Sequence, residues 1–198
     1  MGTARGLAPG PDGRLRCAWG VSTPDYVAYH DTEWGYPVHD DTRLFEKLCL
    51  EGFQSGLSWL TILRKRDNFR AAFANFDIET VAGFGDRDVD RLLADAGIVR
   101  HRGKIEAAIQ NARGAAEMHA NGESLAELVW SHAPTGRRRA PRTVDDLPAI
   151  TPESTALSKE LKRRGFRFVG PTTAYAAMQA CGVVNDHLAG CFRRDAYS

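Results

Sequence analysis

No stretch of the sequence approaches the roughly 20 apolar residues a membrane span needs, and residues 1–16, MGTARGLAPGPDGRLR, lack the apolar core of a secretion signal. Four cysteines in 198 residues do not make a disulfide scaffold. These absences point to a cytoplasmic protein with reduced thiols and no membrane partner. Alternating apolar and polar runs are scarce, which argues against a sheet protein, and no internal repeat is present. Excess charge is lacking too. The net charge is only +1, so the field of the whole chain does not announce nucleic acid. The cations are instead clustered, in Arg64-Lys65-Arg66, Arg100-His101-Arg102-Gly103-Lys104, Arg137-Arg138-Arg139 with Arg142, and Lys162-Arg163-Arg164. Such patches can hold phosphates while acids elsewhere balance the total, although the Arg137 run reads as a solvated face.

What is present is the composition of one globular domain, 43% hydrophobic and 26% charged. The periodicity is helical. Asp41 is placed to cap a helix carrying Leu44, Phe45, Leu48 and Cys49. Residues 57–63 and 67–76 read as two short helices, and 88–96 as a third ended by Gly97. Residues 104–120 form the longest, and 132–152, with four prolines, read as a loop. Thr151-Pro152 and Gly170-Pro171 each start a helix with proline in its first turn, and Gly182 ends the last. The expectation is an all-α, orthogonal multi-helix domain over 17–192, with a flexible extension over 1–16 and a tail over 193–198.

Four residues carry the clearest chemistry. Cys17 and His30 lie near the start, and His187 and Cys191 near the end, as C-x12-H and H-x3-C. Two thiolates and two imidazoles suit a closed tetrahedral Zn²⁺ site, which would clasp the ends of the domain together. The plainer alternative is two buried cysteines and two ordinary histidines. Glu51 is the second oddity. It shares a helical stripe with Leu44 and Leu48, whereas Glu46 and Lys47 fall outside that stripe. A carboxylate on an apolar face needs a ligand or a partner, and a backbone N–H or an arginine would serve as well. Tyr26, Tyr29 and His30 share one helix face. Trp19 and Trp34 read as core, while Tyr29 and Trp59 could wall a pocket for a flat ring. Residues 86–105 read as helix, basic turn, helix. The second helix would aim free N–H groups at a phosphate, with Arg100, Arg102 and Lys104 around them.

Longer stretches carry a resemblance. They are Arg16-Cys17-Ala18-Trp19, Tyr29-His30-Asp31-Thr32-Glu33-Trp34-Gly35, and the run from Leu48 through Glu51-Gly52-Phe53 to Trp59. Further on come Asp95 to Ile105, Arg164-Gly165-Phe166-Arg167-Phe168-Val169-Gly170, and Met178 to His187. In these, from about Arg16 to Cys191, the chain resembles the DNA-3-methyladenine glycosylase I family of helix-hairpin-helix DNA glycosylases. The resemblance implies one structural Zn²⁺ on Cys17, His30, His187 and Cys191, and a base pocket of Glu51, Tyr26, Tyr29 and Trp59 with Glu51 as the catalytic carboxylate. It also implies a DNA contact at Gly103, Lys104, Arg100 and Arg102. The implied partners are double-stranded alkylated DNA and the product 3-methyladenine. The implied enzyme is a monomer that excises the base without lyase chemistry. Residues 1–16 and the loop near Arg137–Arg142 depart from the pattern. The aspartate that many related glycosylases carry after the hairpin is absent from Met118-His119-Ala120-Asn121-Gly122-Glu123. Two other classes stand beside this reading. A DNA-binding module without catalysis would have no use for Glu51 with Tyr29 and Trp59, and a zinc hydrolase would need an open coordination position.

Overall fold

Short polar side chains decide where the helices begin. Thr23, Asp40, Ser58, Asp77, Ser124 and Thr151 each accept a backbone N–H of the first turn that follows, and the His101 ring does the same for Lys104. Each such cap is worth about 1 kcal/mol. The computed structural model describes residues 6–136 and 139–197. A hairpin of β1 (Leu7–Pro9) and β2 (Leu15–Cys17) comes first. The helices follow as α1 (Pro24–Thr32), α2 (Asp41–Gln54), α3 (Trp59–Ala72), α4 (Ile78–Ala82), α5 (Asp86–Ala94), α6 (Arg102–Ala120), α7 (Leu125–Trp130), α8 (Pro152–Arg163) and α9 (Pro171–Ala180).

The main core forms where α2 meets α3, α6, α7 and α9, with α4 and α5 on α6 and α8 on α9. Phe45, Phe53, Phe69, Phe73 and Phe76 fill its centre and are all fully buried. A second, smaller core joins Leu7, Cys17, Leu188 and Cys191, with Trp19, Trp34 and Leu147 packed against it. Among the described residues no helix is long and apolar enough to cross a membrane.

The mostly helical reading holds, with corrections that each have a physical cause. Residues 7–17 are not a flexible extension, and residues 1–5 lie outside the described residues. β1 pairs antiparallel with β2, and buried Arg16 binds Asp31 (2.7 Å) and Asp12 (2.6 Å). The tail is tied down at Arg194, which donates to the carbonyls of Asn185 and His187, and Ser198 lies outside the described residues. The two helices read between 57 and 76 are mostly one, α3, followed by a 3-10 turn with Ala74, Asn75 and Phe76 at positive φ. α4 and α7 are too short to show a period.

Asp40, not Asp41, caps α2. Asp41 reaches across to cap α7, accepting the N–H groups of Leu125 and Ala126 and the Ser124 hydroxyl. Glu46 is buried, not outward, because Arg43 and Arg70 both pair with it at 2.8 Å. α5 ends at Ala94 without help from Gly97, whose N–H goes to the Asp95 side chain. Gly182 does follow the end of α9 at φ +74°, where a Cβ would come within 2.7 Å of the Gly35 carbonyl. Pro152, read as the end of the 132–152 loop, is the first residue of α8, and between α7 and α8 the described residues form a loop with a 3-10 turn at Val144–Asp146, which docks through the Pro141 carbonyl on Ala189 N–H (2.7 Å). Arg137 and Arg138 of its basic run lie outside the described residues.

Candidate active site and metal centre

β2, α1 and the segment after α9 bring Cys17, His30, His187 and Cys191 together. All four are buried, and their ligand atoms lie within 4.8 Å of one another. Cys191 Sγ is 3.5 Å from both His30 Nε2 and His187 Nδ1, and Cys17 Sγ is 4.0 Å from His187 Nδ1. A sulfur–nitrogen edge of a tetrahedral zinc site is about 3.5 Å, from bond lengths near 2.3 and 2.0 Å.

The outer nitrogens of both rings are also engaged. His30 Nδ1 donates to Asp31 (2.9 Å), which Arg16 holds from the hairpin, and His187 Nε2 donates to the Trp34 carbonyl (3.1 Å). That leaves His30 Nε2 and His187 Nδ1 with lone pairs facing the thiols, as metal-binding imidazoles require. The hydrogen bond between the two thiols, aided by the rings, holds Cys191 far below the ordinary thiol range and raises Cys17. The donor set fits a borderline-soft divalent cation with no coordination position left over.

Trp19 connects this centre to a second cluster. Its ring meets His30 (5.3 Å) and Trp34 (5.0 Å) on one side and Tyr26 (5.5 Å) and Tyr29 (6.3 Å) on the other. Tyr26 thus packs on Trp19. Tyr29, one helical turn further along α1, reaches Trp59 at the start of α3, with ring centroids 5.4 Å apart and tilted by 44°. A ring held between two faces needs about 7 Å. These two residues therefore cannot form opposite walls as placed, and a base would take one free face.

Glu51 of α2 is buried, and among the described residues nothing hydrogen-bonds its carboxylate. Burial pushes its pKa up to about 8, against the pull of the Lys47 ammonium one turn earlier. The same burial, with Glu51 nearby, raises the Tyr29 phenol, which stays protonated and able to donate. The indole N–H of Trp59 is buried with no partner among the described residues, an arrangement that costs about 1–3 kcal/mol unless a ligand or water meets it.

Sequence reasoning placed Lys47 outside the inward stripe and so missed it. Its ammonium lies 5.6 Å from the Tyr29 ring. It lines both a cavity of about 320 Å³ bounded by Glu33, Tyr36 and His39 and a smaller one that reaches Trp59. The available signal was its i, i+4 spacing to Glu51. The clamp of Arg66 on Glu33 (2.5 and 2.8 Å), which joins α3 to the end of α1, had no such signal.

α5, residues 95–101 and α6 form the helical hairpin with a basic turn. Lys65 and Asn68 of α3 brace the turn by donating to the carbonyls of Ala96 and Gly97. Arg100 is exposed, and Arg102 is spread between Asp90 (3.4 Å) and Glu106 (3.5 Å). Lys104 corrects the sequence reading. It is buried, and its ammonium donates to the carbonyls of Phe53 (2.9 Å) and Ser55 (2.5 Å), which α2 leaves unpaired at its end. Desolvation lowers its pKa. Lys104→Ala is accordingly expected to cost about 1–3 kcal/mol of stability. It should leave the salt dependence of DNA binding unchanged. Melting curves and salt titrations check both.

A family model of methyladenine glycosylases matches residues 19–194. The chain belongs to the methyladenine glycosylase family. DNA-3-methyladenine glycosylase 1 of Escherichia coli K12 is 53% identical over 179 residues, 89% of this chain and 95% of that protein. DNA-3-methyladenine glycosylase of Haemophilus influenzae is 45% identical, covering 89% of this chain and 96% of that protein. Among solved structures, the 3-methyladenine DNA glycosylase I of Staphylococcus aureus superposes with a TM-score of 0.85 at 38% identity, covering 90% of this chain and 96% of that one. The methyladenine glycosylase match starts at Trp19, so it contains α1 to α9 and three of the four candidate metal ligands. The fourth, Cys17, comes from the hairpin before it.

Proposed function

We infer that the chain is a base-excision repair glycosylase that hydrolyses the N-glycosidic bond of 3-methyladenine in alkylated duplex DNA and leaves an abasic site. Alkylation at N3 puts positive charge on the purine and makes it a good leaving group, so the demands are extrusion and discrimination rather than strong acid–base chemistry. Extrusion costs a few kcal/mol, least for a damaged base. The observation that carries the reading is Glu51, a buried carboxylate with no hydrogen-bond partner among the described residues, near enough to Tyr29 to raise its phenol, while the Tyr29 ring meets Trp59. A cationic base supplies the charge that this carboxylate lacks, and the carboxylate accepts N–H bonds from the purine edge. Trp59 stacks on the ring, where cation–π attraction adds about 0.5–2 kcal/mol in favour of the charged lesion. Water adds its oxygen to C1′ as the C1′–N9 bond breaks. The bonding pair goes to the purine, which leaves neutral, and the water proton is released.

Cys17, His30, His187 and Cys191 would hold Zn²⁺, which would supply structural cross-linking and no chemistry, because four protein ligands leave no position for substrate or water. The α5–α6 hairpin serves as a helix-hairpin-helix. The N–H groups around Gly103 hold one phosphate beside Arg100 and Arg102, which positions the protein without reading bases. No amine is assigned to lyase chemistry, because Lys104 is spent on carbonyls. Chromatography of bases released from methylated DNA tests the reading: 3-methyladenine should appear and 7-methylguanine should stay in the polymer. If no 3-methyladenine is released, the reading fails. Trp59→Ala should weaken binding of the free base by about 1–3 kcal/mol, in a variant whose circular dichroism matches the parent.

A further inference from the structure

Two opposite charges one turn apart on α2 make no ion pair among the described residues. Glu51 is buried, with nothing hydrogen-bonded to its carboxylate there, and Lys47 precedes it by the spacing at which helical side chains meet. The surroundings make Lys47 the exception. Six charged side chains line the small cavity that reaches Trp59. Glu33 holds Arg66, and Glu46 holds both Arg43 and Arg70. Of the six, only Lys47 is without an ion pair among the described residues.

Lys47 also lies between two spaces. It lines the cavity of about 320 Å³ with Glu33, Tyr36 and His39, and the smaller one with Trp59. Its ammonium stands 5.6 Å from the Tyr29 ring. Burial raises the Glu51 carboxyl and the Lys47 charge pulls it back, and burial likewise raises Glu33, which Arg66 and then Lys47 lower. A flexible four-carbon stem lets this compact charge turn toward either carboxylate. The other groups around Glu51 supply no competing charge. Burial keeps the Tyr29 phenol of α1 protonated and pushes the Cys181 thiol after α9 up to about 12. Arg66 of α3 is taken by Glu33, Lys104 of α6 by the carbonyls at the end of α2, and the first N–H groups of α7 by Asp41.

We propose that Lys47 is the resting counterion of Glu51, its ammonium facing the carboxylate while the pocket is empty and turning toward Glu33 and the outer cavity as a cationic base takes its place. The exchange rests on the glycosylase reading above. Lys47 acts through Glu51, as a positioning residue, and touches neither the base nor the bond that breaks. One positive charge replaces another, so the buried carboxylate is never left bare, which would be costly. A neutral purine brings no charge to the exchange, and its entry leaves the ammonium on Glu51. The pair therefore adds to the preference for a charged lesion.

Lys47→Met is the decisive variant, since it keeps an apolar stem and removes the charge. Excision needs the ionised carboxylate and declines on acidification. Without the ammonium Glu51 holds its proton to higher pH, so that acid limb should move up by about one pH unit or more. The rates should then cross. Lys47→Met should be about tenfold slower than the parent near pH 7 and equal or faster well above the limb, where no ammonium competes with the lesion. Lys47→Arg keeps the charge and should keep the limb where the parent has it. Added to Glu51→Gln, Lys47→Met should move no pH-dependent quantity. Melting supplies a readout that needs no activity. Raising the folded pKa of Glu51 further extends the span over which stability is lost as pH rises. The Tm of Lys47→Met should therefore fall away from the parent's above about pH 8, and should not do so in the Glu51→Gln background. An unmoved limb in Lys47→Met overturns the proposal. An equal shift in Lys47→Arg overturns it too, by making the stem and not the charge responsible. If the parent releases no 3-methyladenine, the glycosylase reading fails and the exchange with it, while the melting gap still decides whether Lys47 is the counterion of Glu51.

Discussion

Cys17→Ala is expected to lose its zinc and a large part of its stability in one step. Structural zinc contributes roughly 10–16 kcal/mol in small peptides, comparable with the whole stability of a typical domain, about 5–15 kcal/mol. Even a loss of about 4 kcal/mol lowers Tm by roughly 10 °C in a chain of this size. The damage should start at the ends. Cys17 holds the hairpin against Leu188, while Arg16 and Asp31 hold His30, so the small core under Trp19 and Trp34 depends on the cluster. Metal analysis, thermal melting and tryptophan emission should move together in Cys17→Ala and in chelator-treated parent. Cys49→Ala removes a buried thiol of the main core and should keep its zinc. Chelator-free protein that contains no zinc, or a Cys17→Ala Tm equal to the parent's, would sink the clasp.

The sequence made the four candidate metal ligands legible because cysteine and histidine carry their chemistry regardless of separation, and the fold brings all four together. The burial of Glu51 was legible for a related reason: an acid in an apolar stripe is conspicuous wherever the stripe leads. Residues whose meaning depends on a distant partner were misread. Glu46 is one turn off the stripe by period and is buried because arginines at 43 and 70 meet it. Asp41 reads as a local cap and serves a helix more than eighty positions later. Lys104 in a basic turn reads as a phosphate ligand, but the end of α2 takes its ammonium first. The Gly- and Pro-rich start reads as loose chain because no run within it is long enough to signal a strand. From Leu7 onward it is ordered by Arg16, whose carboxylate partners lie at Asp12 and Asp31. Helix positions follow from local periodicity, whereas these assignments depend on contacts across the fold.

Glu51→Gln should weaken base recognition and strengthen the fold. The carboxyl pKa is pushed up to about 8, because burial disfavours its charge more than Lys47 supports it. A group whose folded pKa lies above its unfolded value binds more protons in the native state. Its contribution to stability is therefore full at low pH and is lost as pH rises from the unfolded value near 4.5 through about 8, by at most about 1.4 kcal/mol per pH unit. Glutamine cannot ionise, so Tm of the Glu51→Gln protein should exceed the parent's above pH 7 and approach it toward pH 5. Binding should run the other way. A cationic base draws the carboxyl into its charged form, and that charge-assisted bond is worth about 1.5–3 kcal/mol. Glu51→Gln should thus lose roughly ten- to a hundredfold in free-base affinity and in excision, while binding undamaged duplex as the parent does. For the parent, excision should decline on acidification below pH 8, as the proton competes with the lesion for the carboxylate. In Glu51→Gln that limb should disappear. If melting against pH is unaltered and affinity for the base is kept, the carboxylate is a structural one. If affinity falls but the pH limb survives, another group governs the titration and Glu51 supplies only a hydrogen bond.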